Sequence, residues 1–230
     1  MSSDSATPLF IMGAPRTATT LAGWIFRQHP QCWITYELRP VTFLYHTMFP
    51  PVPSLNTFIT HFATWGQRGA PMGPELLVPL GRVVNDKVDP FAAIRGMHHG
   101  LRATYAEQLD RPLRVFGDKS PSYCTSWYIL REVFPGCRIV HTKREFGATV
   151  DSVMRQNWGC SASRAMAETH VRKHEDKAAE CPDAWPLQLE ELEAQPEKHI
   201  TALLEFAGLD VGVYPMSPAV HYMLHGKGVN

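Results

Sequence analysis

The chain has 230 residues, 44% of them hydrophobic, and its 22 basic residues balance 22 acidic ones. This length and apolar content fit one large domain, so the sequence predicts a single domain over residues 1–230. The zero net charge argues against a broad surface for nucleic acid or anionic membranes. We therefore expect no nucleic-acid or membrane partner, and a binding pocket with a locally positive charge.

Three features predict a reduced, cytoplasmic protein without a metal site. Residues 1–7 carry no basic side chain, and the apolar run after them is too short for a secretory signal or a membrane span. The five cysteines lack metal-type spacing and are interpreted as buried free thiols. His170 and His174 have a metal-compatible spacing, but basic residues surround them and no further ligand is evident.

The first predicted unit spans residues 8–27 and reads as strand, tight turn and helix. An apolar run over residues 9–12 is typical of a buried parallel strand, and Gly13 and Pro15 end it. Amide groups of residues 17–20 would be unpaired at the positive end of the helix, where they can hold a phosphate or sulfate. Arg16 adds a fork of donors, and three nearby threonines add hydroxyls. We predict an anion site, since one threonine would be enough to cap a helix.

The loop does not follow the ATP/GTP pattern, which needs a second glycine followed by lysine and then serine or threonine. Instead GAPRTATTL, residues 13–21, resembles the 5′-phosphosulfate loop of sulfotransferases that use 3′-phosphoadenosine 5′-phosphosulfate (PAPS), whose common form is Gly-x-Pro-Arg-Ser-Gly-Thr-Thr. The arginine makes it similar to the protein-tyrosine, carbohydrate and bacterial branches. The resemblance implies that PAPS is bound by Arg16, Thr17, Ala18, Thr19 and Thr20. Ala18 replaces the usual glycine, which implies a negative φ or some strain.

A second strand is predicted over residues 31–36, where aromatic and β-branched residues are frequent, and it ends at Glu37. Glu37 follows Arg16 by 21 residues, with Arg39 shortly after it. In the family a glutamate at this separation deprotonates the acceptor, so the resemblance implies that Glu37 is the catalytic base. A solvated glutamate at a strand end is the alternative.

Residues 40–80 are rich in proline and aromatic side chains and predict an irregular segment that selects the acceptor. Ordinary packing over the sheet would produce the same composition. His46 and His61 lie in this segment and are alternative bases, because imidazole titrates near neutral pH. The sequence does not identify the acceptor.

A helix is predicted over residues 89–109, followed by a strand over residues 113–117 and a polar turn from Asp118. Ligands gather at the carboxyl ends of parallel strands, so Asp118 and Lys119 belong on the same rim as Arg16. The Asp-Lys-Ser-Pro run resembles a second family motif, which implies that Lys119 assists departure of the phosphate leaving group. A simple polar turn is the alternative.

A helix over residues 123–134 and a strand over residues 137–142 precede Arg144 and Ser152. The pair resembles the 3′-phosphate loop of the family, an arginine and a serine eight positions apart, with Glu145 in place of the usual aspartate. The resemblance implies that Arg144 and Ser152 bind the 3′-phosphate and so distinguish PAPS from ATP. Further helices are predicted over residues 162–179 and 196–206.

The resemblance covers residues 8–39 and 114–209 and implies an α/β fold, with a P-loop-like, mainly parallel sheet and helices on both faces. It implies metal-independent transfer of a sulfuryl group from PAPS to the hydroxyl or amine of a small-molecule, glycan or peptide acceptor, releasing PAP, with Glu37, Lys119 and Arg16 catalytic. Two alternatives stay open. A kinase-like phosphotransferase would bind ATP at the first loop and Mg²⁺ at Asp118. A non-catalytic nucleotide-binding protein would need Arg16 and Arg144 but not Glu37 or Lys119.

Overall fold

The computed structural model describes residues 6–37 and 90–225 of the chain. Its centre is a five-stranded sheet in the order β2-β3-β1-β4-β5, and all neighbouring strands run parallel. The strands are β1 (Thr7–Gly13), β2 (Cys32–Tyr36), β3 (Val115–Lys119), β4 (Arg138–Lys143) and β5 (Trp185–Gln188). The predicted parallel sheet is confirmed.

Helices connect and cover the strands of this sheet. The α-helices in the described residues are α1 (Thr19–Arg27), α2 (Pro90–Gln108), α3 (Trp127–Val133), α4 (Phe146–Met154), α5 (Arg164–Ala179), α6 (Leu189–Ala194), α7 (Pro196–Phe206) and α8 (Met216–His225). Short 3₁₀ turns occur at Pro121–Thr125, Gly159–Ser161 and Val211–Val213. Each predicted helix within the described residues has a counterpart, and α8 lies in the C-terminal part of the chain, where the sequence predicted no element.

Alternate residues of β1 supply the cores on the two faces of the sheet, as the two-residue period of a strand requires. Phe10 and Met12 pack on one face in a cluster to which α2 and α3 contribute. Leu9 and Ile11 pack on the other face in a cluster to which α1 and α7 contribute. Both faces are therefore covered, which explains the nearly continuous apolar sequence of this central strand.

Strand β3 differs from its prediction at both ends. It begins at Val115 and includes Asp118 and Lys119, which the sequence placed in a turn after the strand. Lys119 lies between Tyr36 of β2 and Ile11 of β1, so neighbours on both sides extend the pairing over these polar residues.

The prediction of a single helix over residues 123–134 is also wrong, because the 3₁₀ turn and α3 are separated at Ser126.

Several expectations concern residues outside the described part of the chain. These are the acceptor-selecting segment over residues 40–80, together with Arg39, His46 and His61. The single-domain assignment to residues 1–230 stays a prediction. In residues 6–37 and 90–225, no helix has the length and hydropathy to cross a membrane. The same two ranges contain no group of three or more side chains that could hold a metal ion.

Candidate functional site

The predicted site residues gather at the carboxyl edge of the sheet, around the ends of β1, β3 and β4. Gly13, the last residue of β1, is paired with Thr142 of β4. The loops that follow these two strands carry Arg16 and Arg144. The chain leaves β1 toward one side of the sheet and leaves β4 toward the other, and ligands of open α/β sheets bind at such a switch point.

The loop after β1 turns through two residues with left-handed backbone, Arg16 at φ 75° and Ala18 at φ 68°. The expectation of strain at Ala18 is confirmed and its alternative, a negative φ, is wrong. A left-handed residue with a Cβ costs roughly 1–2 kcal/mol. The prediction of unpaired amides over residues 17–20 is wrong for Thr17, whose amide donates to the Ala14 carbonyl oxygen over 3.2 Å. The amide groups of residues 18–20 lie at the N-terminus of α1 and have no acceptor among the described residues. Unpaired amides at a helix start suit an anion.

The side chain of Thr17 stabilises the loop after β1 through hydrogen bonds. Its hydroxyl donates to the Ala14 carbonyl oxygen over 2.7 Å and lies 2.9 Å from the hydroxyl of Thr142. The Thr142 hydroxyl also reaches the Met12 carbonyl oxygen at 3.2 Å. A Cβ on Gly13 would overlap both hydroxyls, so this position requires glycine. The side chain of Thr17 thus holds the loop closed. Its role differs from those of Thr19, which starts α1, and Thr20, which is half-buried beside it.

Arg16, Arg144 and Ser152 converge although they are distant in sequence. The Nε of Arg16 donates to the Ser152 hydroxyl over 3.2 Å. A terminal nitrogen of Arg144 donates to the Arg16 carbonyl oxygen over 3.4 Å. Ser152 is buried on α4, whereas the Arg16 side chain is exposed. The structure therefore brings the predicted 5′ and 3′ phosphate residues side by side.

Glu145, which stands where the resemblance places an aspartate, caps helix α4. Its carboxylate accepts hydrogen bonds from the amides of Gly147 at 2.8 Å and Ala148 at 2.5 Å. An acidic cap is favourable at the positive end of a helix. The cap fixes the start of the helix that carries Ser152.

Lys119 and Glu37 form an ion pair at the ends of β3 and β2. The Nζ of Lys119 lies 2.8 Å from Oε1 of Glu37, and the Glu37 amide donates to the Lys119 carbonyl oxygen over 2.7 Å. The Lys119 side chain is only 5% exposed, whereas that of Glu37 is 36% exposed. Glu37 has a left-handed φ of 57°. The carboxylate is thus fixed by its own backbone and by Lys119, and it still reaches solvent.

Asp118 lies next to Lys119 in sequence but faces the opposite side of the sheet. Its two carboxylate oxygens accept from the hydroxyls of Thr35 and Tyr123, each over 2.7 Å, and it is buried. Asp118 and Lys119 are the last two residues of β3, but their side chains point to opposite faces of the sheet, as adjacent residues of a strand do. This inward placement disfavours the Mg²⁺ role that the phosphotransferase alternative gives to Asp118.

His141 is a buried titratable group directly before Thr142 on β4. Burial lowers the pKa of His141 to about 4, and the Lys143 ammonium adds to this shift. The ring is therefore neutral at physiological pH. Its Nε2 atom has no hydrogen-bond partner within the described residues.

Comparison with known proteins supports the sulfotransferase fold that the sequence predicted. A model of the sulfotransferase family matches residues 8–212. The sulfotransferase domain of the Synechococcus PCC 7002 olefin synthase is similar, with a TM-score of 0.58 at 20% identity over 99% of this chain and 80% of that domain. Sulfotransferase STF9 from Mycobacterium avium gives a TM-score of 0.58 at 15% identity over 97% of this chain and 69% of its own. No curated protein matches the sequence significantly.

A third solved structure, the sulfotransferase domain from the curacin biosynthetic pathway, has a TM-score of 0.55 at 17% identity, over 98% of this chain and 80% of that domain. At these identities the likeness concerns the fold. The five-stranded parallel sheet with helices on both faces is the architecture that these proteins share with this chain.

Proposed function

Because this chain belongs to the sulfotransferase family, we propose that it transfers a sulfuryl group from PAPS to the hydroxyl or amine of a small-molecule acceptor and releases PAP. The family and the fold support sulfotransferase activity. The choice of PAPS as donor rests on the residues at the carboxyl edge of the sheet.

The observation that carries this proposal is the contact of Arg16 with Ser152 over 3.2 Å. It joins the loop after β1 to the helix after β4, so two positively charged positions, Arg16 and Arg144, lie side by side. A donor with phosphate groups at both its 5′ and 3′ ends needs two such positions, whereas ATP needs only the first. The free amides of residues 18–20 fit the 5′ group, and Arg144 with Ser152 fits the 3′ group.

Each residue then has a separate task in the reaction. Glu37 accepts the proton of the acceptor while the acceptor oxygen or nitrogen forms its bond to sulfur. The bond between sulfur and the bridging phosphate oxygen breaks at the same time, and PAPS supplies this activated sulfuryl group. Lys119 and Arg16 donate hydrogen bonds toward the oxygen on which negative charge develops, which stabilises the transition state. No step of this mechanism needs a metal ion.

The test is calorimetric titration of the protein with PAP, compared with ADP plus Mg²⁺. We expect metal-independent binding of PAP and little response to ADP, and Arg144→Ala should weaken PAP binding. Lys177, an exposed lysine in the last turn of α5 that pairs with Glu180, provides the control variant Lys177→Ala. Preference for ADP with Mg²⁺ would instead favour the phosphotransferase reading, and unchanged PAP affinity in Arg144→Ala would reject the assignment of that residue.

A screen of hydroxyl and amine acceptors with PAPS separates an enzyme from a non-catalytic nucleotide-binding protein. We expect formation of PAP that depends on the acceptor and on Glu37. Binding of PAP without turnover of any acceptor would favour the non-catalytic reading.

A further inference from the structure

Glu190 reaches from the corner between β5 and α6 to the loop after β4. Its Oε1 accepts a hydrogen bond from the Glu145 amide over 2.9 Å. Its Oε2 accepts from Nε2 of Gln188 over 2.5 Å, so both oxygens are held. Gln188 itself is paired with Lys143 at the ends of β5 and β4. The carboxylate thus ties the first residues after β4 to the neighbouring strand.

The segment held in this way controls both groups assigned to the 3′-phosphate. Arg144 is the residue directly before Glu145, so fixing the Glu145 amide fixes the backbone from which the Arg144 side chain starts. The Glu145 carboxylate begins α4 by accepting from the amides of Gly147 and Ala148, and α4 carries Ser152. The single hydrogen bond that the Glu145 amide donates to Glu190 therefore influences the positions of both Arg144 and Ser152.

The electrostatic setting of Glu190 agrees with a carboxylate that is ionised and kept in place. Hydrogen bonds from the Glu145 amide and from Gln188, with a smaller contribution from the Arg144 guanidinium, lower the pKa of Glu190 despite the opposing effect of partial burial. A negative charge this close to Arg144 opposes an anionic ligand. Any benefit to ligand binding must then come from geometry and not from charge.

We propose that Glu190 is a positioning residue for recognition of the 3′-phosphate, acting through the Glu145 amide on Arg144 and Ser152. This inference rests on the proposed function, because it assumes that Arg144 and Ser152 bind that phosphate. It assigns a role in donor selection to a side chain outside the loops that contact the donor.

The competing explanation is that Glu190 merely favours helix α6, where it is one of two acidic residues in the first turn. Glu191 shares that turn and is exposed in the same way. It makes no contact with the loop after β4 among the described residues. Glu191→Ala is therefore a matched control for the helical effect alone.

The experiment measures the dissociation constants of PAP and of 5′-AMP, which lacks the 3′-phosphate, by calorimetry with the whole chain. Glu190→Ala should weaken PAP binding about tenfold, the loss expected for one hydrogen bond to a charged group, while 5′-AMP stays within about twofold. Glu190→Gln keeps the accepting oxygen and removes the opposing charge, so PAP affinity should equal or exceed that of the wild type. Glu191→Ala should change neither constant.

Glu190→Asp keeps the charge but shortens the reach, so it should also weaken PAP selectively, and it serves if the alanine variant does not fold. Equal effects on PAP and 5′-AMP, or an unchanged ratio of the two constants in the alanine and aspartate variants, would overturn the positioning role. A wild-type protein that does not prefer PAP to 5′-AMP would overturn the 3′-phosphate assignment itself. The two failures are therefore distinguishable.

Discussion

Lys119 Nζ lies 2.8 Å from Glu37 Oε1, so the cation assigned to the leaving group touches the carboxylate assigned to the acceptor proton. An ammonium has three N–H donors, so Lys119 can hold Glu37 with one and point another toward a phosphosulfate. The pair links the two halves of the proposed reaction. The Glu37 carboxylate remains partly exposed, whereas the Lys119 side chain is nearly buried.

Replacing Glu37 with glutamine removes the proposed base but keeps its shape. We expect kcat to fall by about 10²–10⁴, the usual contribution of a general base. The dissociation constant of PAP should change little, because Glu37 follows β2 and is not in the loops assigned to the phosphates. Acceptor-dependent release of PAP and calorimetry measure the two quantities. An unaltered turnover would remove Glu37 from the mechanism and direct attention to His46 and His61.

Replacing Lys119 with methionine removes a donor to the developing charge, and kcat should fall by about 10²–10³. Because Lys119 and Glu37 are in contact, the double variant Glu37→Gln/Lys119→Met should be less impaired than the product of the single effects predicts. Lys177→Met, on the exposed face of α5, is the control and should retain full activity. If the decrease in kcat of the double variant equals the product of the two single decreases, the contact between Lys119 and Glu37 has no role in catalysis.

Ala18 adopts a left-handed conformation that glycine tolerates better. Ala18→Gly should therefore raise the free energy of unfolding by about 0.5–1 kcal/mol, after the greater flexibility of glycine in the unfolded chain is subtracted. Ala22→Gly, in the helical part of α1, should lower it by at least about 1 kcal/mol. Urea unfolding of both variants measures the difference. Destabilisation by Ala18→Gly would contradict the observed φ of 68°.

Two buried histidines should make the protein sensitive to acid. Burial lowers the pKa of His98 to about 3 and that of His141 to about 4, against about 6.5 in an unfolded chain. Between pH 6.5 and 4 the unfolded chain binds more protons, so stability should fall as pH falls, by up to about 1.4 kcal/mol per pH unit for each ring. Thermal unfolding at pH 4.5–7.5 measures this slope. His98→Phe should make the decrease of stability with falling pH less steep, whereas His99→Gln, at an exposed neighbouring position, should leave this slope unchanged.

Thr142 was not identified from the sequence, yet its hydroxyl holds the loop after β1. Thr142→Val keeps the shape and removes the contacts with the Thr17 hydroxyl and the Met12 carbonyl oxygen. We expect a loss of about 1 kcal/mol in the free energy of unfolding and weaker binding of PAP. Thr169→Val, on exposed α5, is the control. Unchanged binding of PAP would show that the loop keeps its form without this hydroxyl.

Sequence patterns predicted the elements because their causes are local. The apolar run before Gly13 and the amphipathic run after Thr19 determine β1 and α1 within a few residues of themselves. The contact of Arg16 with Ser152 spans 136 positions, and no local pattern contains it. Only the likeness of both segments to known loops suggested that they bind one ligand.

The residues that sequence reasoning missed or misplaced depend on strand register. Thr142 contacts Thr17 because β1 and β4 pair with Gly13 opposite Thr142. The side chain of Asp118 points into the protein because β3 continues to Lys119. Had the predicted strand been extended by two residues, the side chains of Asp118 and Lys119 would have been predicted to face opposite sides of the sheet. A threonine at the end of a central strand was the available signal for Thr142. Its partner could not be named without the sheet order.

Within the described residues, the order β2-β3-β1-β4-β5 separates the residues assigned to the donor from the residue assigned as base. Arg16 and Arg144 follow the interior strands β1 and β4, whereas Glu37 follows β2, which is at the edge of the sheet in this part of the chain. In the sequence, residues 38–89 separate Glu37 from α2. An exchange of residues 38–89 between related proteins would leave the sequences of β1, β4 and their loops unchanged. Under the hypothesis that residues 40–80 select the acceptor, acceptor preference can change in this way while the residues assigned to the donor stay the same.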